Sequence, residues 1–270
     1  MGDCHHYINV SVMGLWQLDR IRIVLVEPAG PLNVGATARV MKNMGLRYLV
    51  LVNPLCDPAS EEALRMAVHG GDVLAAATTV SSLPEAIAGC ERAIATTGRL
   101  HRQDQPLELP EVALPWLLPP TPAESFAAAL IFGPEDRGLS NDELIYAQRW
   151  VRIPASDSYP SLNLAQAVAV CAYLLHRGAI AEAIGESFPT VGVAATAGRL
   201  APLEQMEGFY QDLEIVLLKI GYLYPHTAAS RMAKLRRLLH RAGPDRQELA
   251  MLRGVLRQIN WAASQAPPEN

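Results

Sequence analysis

Asn33-Val-Gly-Ala-Thr-Ala-Arg39, Ile131-Phe-Gly-Pro-Glu-Asp-Arg-Gly-Leu-Ser140 and Tyr159-Pro-Ser-Leu-Asn-Leu-Ala-Gln166 are the three stretches that decide how this chain folds. Each begins where an apolar, strand-like run stops and a helical pattern is about to start. In an open α/β sheet, ligands bind outside those carboxyl ends of the strands. One Gly/Pro/Asn-rich connection would be ordinary turn chemistry. Three of them at equivalent places predict a single built site.

Reading outward from these stretches, Ile21 to Val26 is an apolar run with one Arg, the pattern of a strand covered on both faces. Asn33 is placed to cap a helix that runs to about Met44 and ends at Gly45. Tyr48 to Val52, Ala93 to Thr97, Ala127 to Phe132 and Trp150 to Ile153 read as further strands. Ser60, Ser81 or Ser82, and Ser140 read as helix starts, the last helix reaching about Gln148. The Pro-rich stretch from Pro106 to Pro122 reads as a loop with a short turn. A long Ala-rich helix follows from Asn163 to about Ile184. Strands alternating with helices predict a parallel sheet with right-handed crossovers.

Half of the 270 residues are apolar and the formal charge is only −4, which supports a sizeable core. Cys4, Cys56, Cys90 and Cys171 are scattered without paired spacing. That excludes a disulfide scaffold, gives no zinc spacing, and predicts a cytoplasmic protein in a reducing compartment. Cys4-His5-His6 has no partner ligands at metal spacing, so no metal is expected. The longest apolar run, around Ala123 to Phe132, is interrupted by Glu124 and Ser125, and no membrane association is expected. The N-terminus lacks the pattern of a signal peptide. Residues 1–18 read as a disordered extension or as a mis-called start, with Met13 the true initiator.

After the α/β domain of residues 19–185, the segment 186–202 is rich in Gly, Ala, Thr and Pro and reads as a linker. Residues 203–262 carry three helical patterns: Leu203 to Ile220, Thr227 to Arg241 and Asp245 to Trp261. Residues 203–261 hold 9 Lys+Arg against 6 Asp+Glu, a net of +3 that leaves −7 for the remainder. On the middle helix Lys234, Arg237 and Arg241 share one face, opposite Met232, Leu235 and Leu239. Such a face is either solvated surface or a docking site for a polyanion.

The three opening stretches resemble, in order, the motifs of the SPOUT methyltransferases. The resemblance covers roughly residues 20 to 180 and implies an α/β fold with a parallel sheet tied into a C-terminal trefoil knot, followed here by a small all-helical extension. It implies S-adenosyl-L-methionine as cofactor, a homodimer, and methyl transfer to RNA. The segments Gly208-Phe-Tyr-Gln-Asp-Leu-Glu214, Met232-Ala-Lys-Leu-Arg-Arg-Leu238 and Glu248-Leu-Ala-Met-Leu-Arg-Gly254 are similar to the tail of bacterial family members that methylate a ribose 2'-hydroxyl in tRNA, at nucleotide 32 of the anticodon loop.

By resemblance, Thr96, Thr97, Gly98, Gly133, Ile153, Ser161, Leu162 and Asn163 bind the cofactor, Ile153 and Leu162 as apolar walls for the adenine. Small residues suit loops whose backbone must approach a ligand closely. Arg39 is, by resemblance, the catalytic residue. A guanidinium holds its proton too tightly to act easily as a base. Arg39 is better placed as a phosphate clamp that stabilises developing alkoxide charge, the alternative being a structural ion pair with Glu135. Asn33 serves either as helix cap or as substrate contact. Glu135 orients Arg39, and Ser161 touches the substrate ribose. Lys234, Arg237 and Arg241 are the RNA-docking candidates.

Two other function classes compete. A ribosomal RNA methyltransferase of the same superfamily usually has an extra RNA-binding domain before the knot, and nothing foldable precedes Ile21. A catalytically dead RNA-binding protein on this fold does not explain why Arg39, Glu135 and Asn163 are all intact. A nucleotide-dependent oxidoreductase is excluded by the lack of G-x-G-x-x-G after the first strand.

Overall fold

The computed structural model describes residues 15–98, 106–123, 125–158, 160–185 and 199–265. The expected N-terminal extension and residues 186–198 of the expected linker therefore lie outside the described residues, apart from the end of the extension. There Leu18–Arg20 forms a 3-10 turn with Leu18 fully buried. The chain divides into two compact units, residues 1–87 with 92–194, and residues 88–91 with 195–270.

The first unit is an α/β sheet. In chain order its elements are β1 (Ile21–Val26), α1 (Pro31–Asn43), β2 (Tyr48–Val52), α2 (Glu61–Ala67), α3 (Gly71–Ala75), β3 (Thr78–Val80), α4 (Leu83–Ala86), β4 (Cys90–Thr96), β5 (Leu107–Glu108), α5 (Pro110–Ala113), β6 (Ala127–Phe132), α6 (Asn141–Leu144), β7 (Arg149–Val151) and α7 (Leu164–Ala183). The seven strands lie in the order β3-β2-β1-β6-β4-β7-β5. β1 pairs in parallel with β2 on one side and with β6 on the other. Their register sets Leu25 beside both Leu51 and Phe132, so the chain leaves β1 and β6 side by side at their carboxyl ends. Strand order reverses between these two neighbours, which opens a crevice at their carboxyl ends.

β1 and β6 are almost wholly buried because helices cover both faces of the sheet. α1 and α2 pack backbone to backbone: a Cβ on Gly35 would lie 2.2 Å from the Ala63 carbonyl oxygen, so only glycine fits. α7 returns over the sheet onto α1. Val168, Cys171, Ala172, Leu175 and Ala179 are buried there. By length and composition alone this helix is apolar enough to cross a membrane. Its mean hydropathy is 1.4 over a membrane-spanning length, and half of that stretch is buried inside the fold, as in a core helix.

Two strands were not expected. β3 is three residues of mixed polarity, and β5 lies inside the Pro-rich stretch that reads as a loop. β5 is fixed by tertiary contacts, pairing with β7 while the Arg149 guanidinium holds both oxygens of Glu108. α6 is shorter than expected, ending at Leu144. By Gln148 the chain has already joined β4, its side-chain carbonyl accepting from the Ala93 N–H at 2.6 Å.

The second unit holds three helices, α8 (Leu203–Lys219), α9 (Pro225–Ala242) and α10 (Arg246–Gln265). They match the three expected patterns. Met206, Phe209, Tyr210, Val216, Met232 and Leu249 form their common core. Leu200 and Ala201, at the end of the expected linker, are also buried in this unit.

Candidate active site

The site grows from the reversal between β1 and β6. α1 starts at Pro31 with Gly30 as N-cap and has no side chain of its own to satisfy its first N–H groups. Glu135, in the loop after β6, fills that role. Its carboxylate accepts hydrogen bonds from the N–H groups of Ala29 and Gly30, both at 3.1 Å, and from Asn33 Nδ2 at 2.8 Å. A carboxylate is favoured there by the unsatisfied donors and by the helix dipole. Burial alone would raise the Glu135 pKa, but these hydrogen bonds outweigh it and hold the carboxyl below its ordinary value.

Asn33 is therefore not the helix cap it was expected to be. It lies in the first turn, and its amide links two other segments: Nδ2 donates to Glu135, and Oδ1 accepts from Asn163 Nδ2 at 2.9 Å. Asn163 is the N-cap of α7 in a capping box. Its Oδ1 accepts from the Ala165 and Gln166 N–H groups, and Gln166 Oε1 accepts from the Asn163 N–H. Glu135, Asn33 and Asn163 thus form one chain of hydrogen bonds that joins all three opening stretches.

A second tether was missed in the sequence. Arg137 donates to both carboxylate oxygens of Glu143 at 2.8 and 3.0 Å, and to Glu27 at 2.7 Å. The two carboxylates hold its proton more tightly than usual. Glu143 completes the capping box of α6 with Ser140. Glu27 sits just past β1 with φ of +46°, a conformation uncommon outside glycine. The only local signals were a charged pair, Asp136-Arg137, inside a turn, and a Glu before Pro28.

Beside these tethers lies an open cleft. Thr97, Gly98, Gly133, Ile153, Ser161 and Leu162 line it, together with Thr96 and the Pro134 to Leu139 loop. Seven of the eight expected cofactor residues meet there. The eighth, Asn163, acts at the back through its capping box. Gly133 is required by close approach: a Cβ would lie 2.3 Å from Leu139 N and 2.5 Å from the Gly138 carbonyl carbon. Leu162 keeps 38% of its surface exposed at the rim.

Arg39 is elsewhere. It is exposed on α1, six residues beyond Asn33 and so about 240° around the helix from it. It makes no hydrogen bond or ion pair among the described residues and does not line the cleft. Neither the structural ion pair with Glu135 nor the orienting role given to Glu135 is present, because that carboxylate is taken up by Asn33 and the turn before α1. Lys234 and Arg241 are exposed on α9, with Arg237 partly buried. Arg236, between them, turns inward, donating to both oxygens of Glu207 and lying 4.3 Å over the Tyr210 ring. Among the described residues no group of three or more His, Cys, Asp or Glu is placed to hold a metal.

Comparison with known proteins adds to this geometry. Residues 20–173 match the SpoU rRNA Methylase family, and residues 204–268 match the tRNA methyltransferase TrmJ, C-terminal domain. A tRNA (cytidine/uridine-2'-O-)-methyltransferase TrmJ of Cronobacter sakazakii is 41% identical over 250 residues, which are 93% of this chain and 100% of that protein. The protein of the same name from Pectobacterium atrosepticum is 40% identical over 249 residues, 90% of this chain and 97% of its own. The crystal structure of TrmJ from Z. mobilis ZM4 superposes with a TM-score of 0.75 at 30% identity, covering 88% of this chain and 98% of that one. Matched across both units, and over nearly the full length of such relatives, the chain belongs to the SpoU methylase family and, within it, to the TrmJ group.

Proposed function

We propose that the protein methylates the ribose 2'-hydroxyl of a cytidine or uridine in tRNA, at nucleotide 32 of the anticodon loop, with S-adenosylmethionine as the methyl donor. The observation that carries this reading is the cleft at the β1/β6 reversal, backed by the Glu135–Asn33–Asn163 chain. It lies outside the carboxyl ends of the strands, where an open α/β sheet binds its ligand. Its walls suit this one: apolar Ile153 and Leu162 for a flat heterocycle, and glycine-bearing turns at Gly98 and Gly133 where backbone groups can read polar edges. When bound, the cofactor supplies an activated methyl group.

The chain's own residues supply position and charge. Thr97, Gly98 and Ser161 hold the ligand from the strand ends. Asn163 fixes the start of α7, and through Asn33 fixes the turn before α1. Arg39, exposed and without a hydrogen-bonding partner among the described residues, is free to take a phosphate beside the target ribose and to stabilise the alkoxide as it forms. Because it does not line its own cleft, it serves the cleft of a second copy. A homodimer also accounts for the exposure of Val170 (38%) and Tyr173 (48%) on the otherwise apolar α7. The exposed cations of α9 draw the RNA backbone. Cys56 and Cys171 are free thiols, which fits work in the cytoplasm.

The test is methyl transfer from labelled S-adenosylmethionine to an unmodified tRNA transcript, with the methylated nucleoside mapped. Label in a 2'-O-methylated pyrimidine at nucleotide 32 is expected. Label in ribosomal RNA alone, or none in either RNA, refutes the assignment.

A further inference from the structure

The turn between α8 and α9 carries a feature that methyl transfer does not use. In Gly221-Tyr222-Leu223-Tyr224-Pro225-His226 the side chains alternate in direction. Leu223 is 2% exposed and anchors the turn in the helical core, whereas Tyr222 is 55% and Tyr224 53% exposed. The backbone beneath them is fixed. The Tyr222 and Leu223 N–H groups both donate to the Leu217 carbonyl at 3.0 Å, and the Tyr224 carbonyl accepts from Thr227 and Ala228 at 2.9 Å. Gly221 supplies the left-handed φ of +73° that reverses the chain, and Pro225 opens α9.

A nitrogen-bearing side chain accompanies each ring. Arg231 donates to the Tyr222 carbonyl at 2.8 Å, and its guanidinium lies 5.7 Å over the Tyr222 ring. The His226 ring stacks on Tyr224 at 6.0 Å and 24°.

We infer that Tyr222 and Tyr224, with Arg231 and His226, form a stacking platform for unpaired bases of an RNA loop, an inference that rests on RNA being the substrate. Two exposed aromatics on a rigid turn present large flat faces and lose little side-chain freedom on contact. Such faces bind nucleobases irrespective of sequence, and only bases whose own faces are uncovered can use them. An apolar protein partner is the poorer fit, because the rings are flanked by Arg231 and His226 and lead into a helix whose exposed Lys234 and Arg241 suit a phosphate backbone. In a tRNA, unpaired bases are concentrated in the loops, so the platform grips a loop while the α9 cations follow its backbone.

The experiment compares full-length wild type with Tyr222→Ala, Tyr224→Ala and the double variant. Binding is measured by fluorescence anisotropy to a tRNA transcript and to a fully paired RNA of equal length, across a salt series. Stacking contributes about 5- to 100-fold in affinity per base. Each single variant should lose roughly that factor on tRNA, with paired RNA and the salt slope unchanged and with melting as wild type. Tyr222→Phe and Tyr224→Phe should bind like wild type, since the ring and not the hydroxyl does the stacking. Equal losses on both RNAs, no loss on either, or a change of sedimentation mass overturns the platform; the last would assign the rings to a protein contact. A wild-type protein that binds tRNA while the variants bind it equally well defeats the platform alone. A wild-type protein that binds neither RNA defeats the substrate reading and the platform with it.

Discussion

Gly133→Ala is the sharpest perturbation of the cleft. The added Cβ would meet Leu139 N at 2.3 Å, the Gly138 carbonyl carbon at 2.5 Å and Gly138 Cα at 3.0 Å, all backbone atoms. No rotamer change can relieve a clash with backbone, so the loop from Pro134 to Leu139 must move by about an ångström to restore ordinary van der Waals separation. Overpacking of this kind costs about 1–3 kcal/mol. For a domain of this size that is a fall in Tm of about 2–12 °C. Function should suffer more than stability, because the same loop carries Glu135 to the start of α1 and Arg137 to Glu27. A displacement near 1 Å in positioning groups costs about 100-fold in rate. The control is Gly71→Ala: no atom lies within 4 Å of its added Cβ and the backbone is already helical, so a gain of about 0.4–1 kcal/mol is expected. Scanning calorimetry of both variants, with isothermal titration of S-adenosylmethionine and the methyl-transfer assay, gives the comparison. A Gly133→Ala protein with wild-type Tm and cofactor affinity would show that the close approach of residues 138–139 does not shape the cleft.

Arg39→Ala should lower methyl transfer by about 10²–10³ while cofactor affinity stays within about a few-fold. Because Arg39 has no described partner to lose, Tm should be unchanged; a variant that fails to bind cofactor refutes its placement on the substrate side. Asn163→Ala removes the α7 cap and the bond to Asn33, so about 1 kcal/mol of stability and part of the cofactor affinity should go together, and calorimetry showing a stability loss alone would leave only the cap. Asn33→Ala tests Glu135 through pH. A carboxyl held below its ordinary value stabilises the fold above the unfolded pKa, near 4.3, and that contribution disappears as pH falls through the lower folded value. Without the Asn33 donor the contribution should be smaller and its loss complete closer to pH ~4.3, and superimposable melting profiles of variant and wild type between about pH 3 and 5 would contradict this. Charge reversal at Lys234, Arg237 and Arg241 should flatten the salt dependence of tRNA binding by about 0.7–0.9 for each phosphate no longer neutralised, and an unchanged slope would remove these residues from the RNA face.

What could be read from the sequence was what neighbours in the chain decide. The Asn163 cap and the Ser140 capping box need only a partner three residues on, and both are present. The five expected strands carry their own apolar runs. β5, at two residues, has no local signal at all and exists because Arg149 and β7 hold it. Asn33 shows the limit most clearly. Its residue type and place before an apolar pattern imitate a cap, yet the cap is Gly30, and the carboxylate that satisfies the turn comes from Glu135, 102 residues beyond Asn33. That substitution of a distant partner for a local one also separates Arg39 from Glu135, which proximity of role had joined.

The same distant partners set the direction of α1. It is a 13-residue helix with no side-chain cap of its own, so its N-terminal end is fixed chiefly by Glu135 and by Asn163 acting through Asn33. Both anchors belong to segments bordering the cleft, and Arg39 stands exposed on the same helix without lining it. A rigid helix pinned from the side of the cleft sets where it carries Arg39, as the substrate contact proposed above requires. The three stretches therefore make one site although only two of them border the cleft: the first is held by the other two, and it carries its arginine outward.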